Sequence, residues 1–295
     1  MTKYCVDIFQ YKNEQNFGDI EGVEIIQDDL LIAARDDAEH DEILVKVLTR
    51  ARNIGVKFNK NKIQLRKPCV KYMGDMFTSE GLKVDPDKVQ AISDFPNPKN
   101  KSELQRLLGM ITFVGNFIPN LSVLTDPLRQ LLKKNIEWIW DAQHDKALQK
   151  IKDVLTKETV LRYFDPSVQS VLQVDASKAG LGVCLLQSDK PVVYRSRTLT
   201  MAEKNYSNIE RELLAVVWAC EALDRYIYGV HVIIHSDHKP LEEIVKKPLY
   251  RTSPRLQRLL IRLHRYSVTV KYIPGKHLHI ADALSRAFDE KNVEK

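Results

Sequence analysis

The sequence has few of the features that mark secreted, membrane-bound or zinc-binding chains. Its 295 residues include only four cysteines, none of them in a CxxC pair, so neither a zinc knuckle nor a disulfide framework is predicted. No run approaches the roughly 18 apolar residues of a membrane span. The first residues also lack the apolar stretch of a signal peptide. We therefore expect an intracellular protein, cytoplasmic or nuclear and not secreted, with no membrane partner.

One long stretch also lacks negative charge. No acidic residue lies between Glu243 and Asp282, and the formal net charge of +6 arises entirely from residues 161–295. Such a one-sign stretch is typical of a surface that binds a polyanion, although a solvated surface is the alternative. A helix that begins at Ser253 and Pro254 is predicted to present an arginine face that tracks phosphates without reading sequence. The arginine face consists of Arg255, Arg258, Arg262 and Arg265.

What the sequence does contain is a lone carboxylate in an apolar run. Asp175 follows residues 171–174, which are predicted to form a central strand. Aspartate is depleted from strands, and a buried carboxylate normally needs a hydrogen-bond donor or a metal ion. Three later carboxylates could complete a metal site: Glu212 on a helix, Asp237 at a strand end and Asp282 on a last helix. This set indicates a nuclease.

Two of these acids have structural alternatives. Asp237 could cap the short helix that Pro240 helps to begin, and Asp282 could pair with Arg286 one helical turn later. A choice also arises between Glu210 and Glu212, which point in different directions on one helix. Glu210 has the spacing of a capping box with Ser207, which leaves Glu212 as the candidate ligand.

The pattern after residue 167 predicts three strands, a nearly all-apolar helix, a fourth strand, a helix, a fifth strand and a final helix. This is the order of the RNase H fold, with a five-stranded mixed sheet and flanking helices. Upstream, a capping box at Ser102 and Gln105 predicts a helix that continues to Pro119, and residues 138–140 are predicted to form an aromatic strand.

The ordered motifs resemble the Pol proteins of gypsy-type LTR retrotransposons over nearly the whole chain. In the RNase H part the resemblance is carried by Val174-Asp175-Ala176-Ser177, Ile209-Glu210-Arg211-Glu212-Leu213, Ser236-Asp237-His238-Lys239-Pro240 and Ala281-Asp282-Ala283-Leu284-Ser285-Arg286. In the upstream part it is carried by Lys71-Tyr72-Met73-Gly74, Ser79-Glu80-Gly81-Leu82, Leu107-Leu108-Gly109 and Phe117-Ile118-Pro119-Asn120-Leu121.

The resemblance implies an α+β multidomain chain. Its expected parts are a partial reverse-transcriptase palm (residues 1–83), a thumb (84–125), a connection (126–162), an RNase H-like domain (163–288) and a tail (289–295). In this scheme Asp28 and Asp29 are what remains of the polymerase motif, and Met73 with Gly74 corresponds to the primer grip, which binds nucleic acid. The third metal-binding Asp of a polymerase is expected upstream of Met1, and Ile26 replaces the family's aromatic residue.

The implied activity is cleavage of the RNA strand of an RNA–DNA hybrid with two Mg²⁺ or Mn²⁺ ions held by Asp175, Glu212, Asp237 and Asp282. Two alternatives stay open: a catalytically idle nucleic-acid-binding relic, and part of an RNA-directed DNA polymerase that needs the missing palm and fingers. Other Pol fragments or a second Pol subunit are the further partners allowed by the resemblance. His277 or His279 could assist near Asp282.

Overall fold

The computed structural model describes residues 3–157, 159–275 and 278. The chain divides into two compact units between Phe77 and Thr78. In the first unit, the helices are α1 (Lys3–Phe17) and α2 (Asp37–Ile54), and the strands are β1 (Val23–Ile26), β2 (Asp29–Ile32), β3 (Cys69–Tyr72) and β4 (Asp75–Thr78), the last ending one residue past the division.

Local sequence explains the elements of the first unit. Asp36 caps α2 by accepting the backbone N–H of Glu39, and the helix ends at Gly55, which has a left-handed φ of 75°. The hairpin β1–β2 packs its buried residues against α2 to form a small core. A second hairpin joins β3 and β4 through Met73 and Gly74, whose φ values of 51° and 80° are those of a tight turn.

The second unit begins with four helices that share one core. After strand β5 (Gly81–Val84) come α3 (Pro86–Ser93), α4 (Lys101–Phe113), α5 (Leu121–Gln130) and α6 (Ala142–Thr156). Apolar residues spaced three or four apart on α4 are buried, including Leu104, Leu107 and Ile111. Helix α6 begins with a side-chain cap, because Asp141 accepts the backbone N–H groups of Gln143 and His144.

Two predictions in this region were wrong. Helix α4 begins earlier than predicted because the side chain of Asn100, not Ser102, accepts the N–H of Glu103 as the cap. It ends at Phe113 and is followed by a 3₁₀ turn at Gly115–Phe117 instead of continuing to Pro119. Residues 138–140 form no strand; Trp138 and Trp140 pack instead against the four-helix core.

The remainder of the unit is built on one mixed sheet. Its strands are β6 (Ser170–Ala176), β7 (Gly180–Gln187), β8 (Lys190–Thr198), β9 (His231–Ser236) and β10 (Ser267–Tyr272), in the order β10-β9-β6-β7-β8. Strands β6, β7 and β8 form an antiparallel meander, whereas β9 runs parallel to both β6 and β10. The helices around it are α7 (Met201–Lys204), α8 (Asn208–Ala222), α9 (Asp224–Ile227), α10 (Pro240–Ile244) and α11 (Pro254–Leu263).

The predicted five-stranded mixed sheet with flanking helices is therefore confirmed. One face of the sheet packs against α8 and α11 in the largest core, where the middle of α8 is buried on nearly every side. Part of the other face, on β7 and β8, packs against Phe117 and Leu161. Among the described residues, no helix is both long and apolar enough to cross a membrane.

Candidate active site

Parallel pairing brings two of the predicted acids to the same edge of the sheet. Gln173 on β6 is in register with His235 on β9. Asp175 lies two residues after the first and Asp237 two residues after the second. Because the strands are parallel, both carboxylates are at the carboxyl edge of the sheet. The two acids also interact electrostatically, since burial and then the negative charge of Asp237 raise the pKa of Asp175.

Helix α8 supplies the third acid from the side of the main core. The side chain of Glu212 is buried, with an exposed fraction of 5%. Burial is the largest cause that raises its pKa to about 8, and the charges of Asp237 and Asp175 raise it further. Its Oε2 atom accepts no hydrogen bond within the described part of the chain. The fold thus keeps a buried carboxylate beside two others, and the charge of Arg211 offsets only part of the rise in its pKa.

The neighbouring Glu210 has a different environment. Its Oε2 accepts the backbone N–H of Ser207 at 3.0 Å, which closes the predicted capping box of α8. Both of its carboxylate oxygens also accept hydrogen bonds from Nη1 of Arg255 on α11, at 3.1 and 3.0 Å. Burial acts to raise the pKa of Glu210, but the bonds from Ser207 and Arg255 outweigh it and lower the pKa. Glu210 is therefore a structural acid, and the structure brings Glu212 to the cluster.

Asp175 has one further partner that the sequence did not indicate. Asn120, just before α5, donates from Nδ2 to Oδ2 of Asp175 over a long 3.4 Å. Burial is the main cause that raises the pKa of Asp175, and the bond from Asn120 opposes it. No local pattern links two positions 55 residues apart. A weak signal did exist, because Gly180 and Gly182 in a central strand often mark a close approach of another segment.

The described residues contain no group of three or more His, Cys, Asp or Glu side chains arranged to hold one metal ion. The fourth predicted acid, Asp282, lies outside the described residues, as do His277 and His279. Asp237 is exposed, and Gly275 after β10 approaches it so closely that an added Cβ would lie 3.3 Å from Oδ2. Glycine thus leaves space beside Asp237.

Three of the four side chains of the arginine face lie next to acidic side chains. Arg255 pairs with Glu210 at 3.0 Å and Arg262 with Glu221 at 2.6 Å, while Arg265 lies 4.0 Å from Asp224. Only Arg258 forms no ion pair within the described residues. The acid-free stretch of sequence is therefore opposed by acids of α8 and α9 in three dimensions, although Arg255, Arg262 and Arg265 remain about half exposed or more.

The residues of the predicted polymerase site lie in the first unit. Asp28 is in the turn of the β1–β2 hairpin, and Asp29 is the first residue of β2, paired with Ile26. Both side chains are exposed. Met73, with an exposed fraction of 48%, is at the tip of the β3–β4 hairpin with Gly74. None of these residues belongs to the unit that contains Asp175, Glu212 and Asp237.

Comparison with known proteins agrees with this arrangement. Residues 140–234 match the family described as an RNase H-like domain found in reverse transcriptase. The chain is 34% identical over 268 residues to the retrovirus-related Pol polyprotein from transposon 297 of Drosophila melanogaster, covering 90% of the chain and 25% of that relative. It is 32% identical over 291 residues to the transposon Tf2-3 polyprotein of Schizosaccharomyces pombe, covering 96% of the chain and 22% of that relative.

The fold is similar to that of foamy viral protease-reverse transcriptase. One such structure, described as dRH in complex with ds DNA, has a TM-score of 0.81 at 22% identity and covers 91% of this chain and 49% of the other. A second, in complex with an RNA/DNA hybrid, has a TM-score of 0.78 at 24% identity, covering 98% and 39%. The chain spans about a quarter or less of the curated relatives it matches. It belongs to the Pol proteins of retrotransposons, in the part that contains the RNase H region.

Proposed function

We propose that the chain is an RNase H-type endoribonuclease that cleaves the RNA strand of RNA–DNA hybrids. The observation that carries the proposal is Glu212: a buried carboxylate beside Asp175 and Asp237, whose Oε2 accepts no hydrogen bond from the part of the chain that the structure describes. A fold that needed only stability would replace or pair such a group, because an unpaired buried polar atom costs about 1–3 kcal/mol. A requirement for catalysis explains why it is retained.

The donor chemistry of the acids fits divalent cations, although no three of the described acids are arranged to hold one ion together without Asp282. Carboxylate oxygens are the ligands that Mg²⁺ and Mn²⁺ prefer. Asp175, Glu212 and Asp237, with Asp282 as the proposed fourth ligand, would hold two ions. When bound, such ions supply activation of a water and stabilisation of the leaving oxygen. The protein's own contribution is to present the acids from a strand, a helix and a strand end.

The substrate is proposed from the surface charge and from the nucleic-acid complexes of the structural neighbours. Arg258 is the exposed arginine of α11 without an ion pair within the described residues, so it is the first candidate to contact a phosphate. Arg255, Arg262 and Arg265 would exchange an acidic partner for a phosphate on binding. Met73 and Gly74 are a second candidate contact. The proposed domains remain the palm part, thumb, connection and RNase H at residues 1–83, 84–125, 126–162 and 163–288, with a tail at 289–295.

A test of the assignment uses labelled RNA–DNA hybrid, Mg²⁺ and three variants. Asp175→Asn and Glu212→Gln should abolish cleavage while hybrid binding persists, because each removes charge from the proposed cation site with little change in shape. Glu210→Gln is the matched control. It lies on the same helix and should retain cleavage, with a loss of stability from the weakened cap.

Three results would contradict the proposal in different ways. Cleavage by a clean Asp175→Asn preparation would remove that residue from the site. Equal loss of cleavage in Glu210→Gln and Glu212→Gln would overturn the choice of Glu212 over Glu210 as the proposed cation ligand. Tight hybrid binding without any cleavage by the unaltered chain would favour a catalytically idle binding module.

A further inference from the structure

The segment immediately before α5 contacts the strand that lies beside Asp175. Asn120 has a φ of 48°, in the left-handed region where asparagine is one of the few tolerated residues, and its side chain is 4% exposed. Its amide donates to Asp175. Two residues later, the backbone N–H of Ser122 donates to Oγ of Ser196 on β8 at 2.8 Å. We name residues 120–122 the docking corner.

Strand β7 lacks side chains where the docking corner lies. Gly182 is in register with Asp175, and a Cβ added to it would overlap Oδ1 of Asn120. A Cβ added to Gly180 would lie 2.7 Å from Oγ of Ser122. Glycine inside a strand normally weakens it and marks a close approach of another segment. Gly180 and Gly182 therefore leave the space through which the Asn120 amide reaches the carboxylate of Asp175, and we call these two residues the glycine seat.

We propose that Asn120 is a positioning residue for Asp175, supplied to the RNase H site by the segment that precedes α5. The inference rests on the proposed function. An amide suits this role because it is a neutral donor that can fix one carboxylate oxygen without cancelling the charge needed by a cation. An arginine or lysine at the same place would neutralise Asp175. Asn120 touches neither substrate nor cation in this scheme and acts only through Asp175.

The test compares Asn120→Gly with the control Ser122→Ala. Glycine tolerates the left-handed φ and removes the amide together with its Cβ. Ser122→Ala alters the same corner at a hydroxyl that has no hydrogen-bond partner in the described residues. Loss of a residue that orients a metal ligand typically weakens metal affinity 10–100-fold. We expect Asn120→Gly to raise the Mg²⁺ concentration for half-maximal cleavage by about tenfold, with the KM for hybrid unchanged. Ser122→Ala should change neither value.

A readout without substrate separates this inference from the proposed function. In the nucleic-acid-free chain, the rise in melting temperature on addition of Mn²⁺ should be smaller for Asn120→Gly than for the unaltered chain and for Ser122→Ala. If the unaltered chain cleaves no hybrid, the proposed function fails, while this comparison still measures whether Asn120 prepares the acids for a cation. An equal rise for all three proteins overturns the inference.

The glycine seat provides a second test. Gly182→Ala should lower the melting temperature because its methyl group overlaps Asn120, and adding Asn120→Gly to it should restore much of the loss. The double variant should still need the higher Mg²⁺ concentration for half-maximal cleavage that is expected of Asn120→Gly. If Asn120→Gly instead worsens Gly182→Ala by the full sum of the two effects, the amide does not occupy the seat. If Asn120→Gly does not fold, Asn120→Ala, which also lacks the amide and costs only the strain of a left-handed φ, replaces it in every comparison.

Discussion

Replacing Glu212 by Gln should stabilise the metal-free chain while it removes hybrid cleavage. The pKa of Glu212 is about 8 in the folded chain, against an ordinary value of 4.5, because of burial and of the charges on Asp237 and Asp175. A raised carboxyl pKa means that folding favours the protonated form. The folded state is therefore most stable below pH 4.5 with respect to this group, and it loses stability as the pH rises from there to about 8.

The magnitude follows from the size of the shift. At pH 7 the unfolded carboxyl is ionised and the folded one is largely protonated, so the difference of about 2.5 pH units corresponds to a cost of about 3 kcal/mol. Glutamine removes the charge but keeps a polar amide in the same buried place, which retains part of the desolvation cost. We expect a net gain of about 1–2 kcal/mol in the free energy of unfolding at pH 7.

The assay is urea unfolding of both proteins in EDTA between pH 5 and 8. The unaltered chain should lose stability across this range relative to the variant, so the difference between them should grow with pH. Mg²⁺ should raise the stability of the unaltered chain more than that of Glu212→Gln. The reasoning is refuted if Glu212→Gln is destabilised by the same amount at every pH, since the carboxylate would then be a net stabilising group.

Two further predictions concern binding and polymerisation. Arg258→Gln should weaken binding to all hybrid sequences and reduce the slope of log binding constant against log salt concentration by about 0.9, the value for one phosphate contact on B-form DNA. The control Glu210→Gln should leave that slope unchanged or steepen it, because it frees Arg255. An unchanged slope in Arg258→Gln would mean that this arginine contacts no phosphate. The pure 295-residue chain should not extend a primer, because within the described residues no third acidic side chain joins Asp28 and Asp29 to form a metal site. Template-directed incorporation of nucleotides by this chain alone would refute that expectation.

The elements set by nearby residues were predictable from the sequence. The caps of α2 and α8 are fixed by side chains three residues apart, and the apolar runs of β6 and β7 identify them as interior strands. Helix α4 shows the limit of this reasoning. Asn100 and Glu103 have the same spacing as Ser102 and Gln105, so two starts compete within one turn. The structure has the first of these starts.

Contacts between distant segments were not predictable in this way. The stretch without acids was correctly recognised as basic, but the charges that oppose it come from Glu210, Glu221 and Asp224, which precede α11 by about one helix and one strand in the chain. Only the packing of α8 against α11 brings them together. A one-sign segment of sequence therefore indicates a basic surface only after the neighbouring elements have been placed.

The same packing explains why the pKa values of two glutamates two residues apart shift in opposite directions. Helix α8 points Glu210 toward α11, where Ser207 and Arg255 lower its pKa, and Glu212 toward the sheet, where burial and two aspartates raise it. Ion pairing with Arg255 therefore stabilises one acid, whereas Oε2 of the other has no hydrogen-bond partner within the described residues. The destabilised acid is the one beside Asp175 and Asp237, which is where a cation would recover the lost free energy. Stability measured with and without Mg²⁺ is thus a direct probe of the proposed site, independent of any substrate.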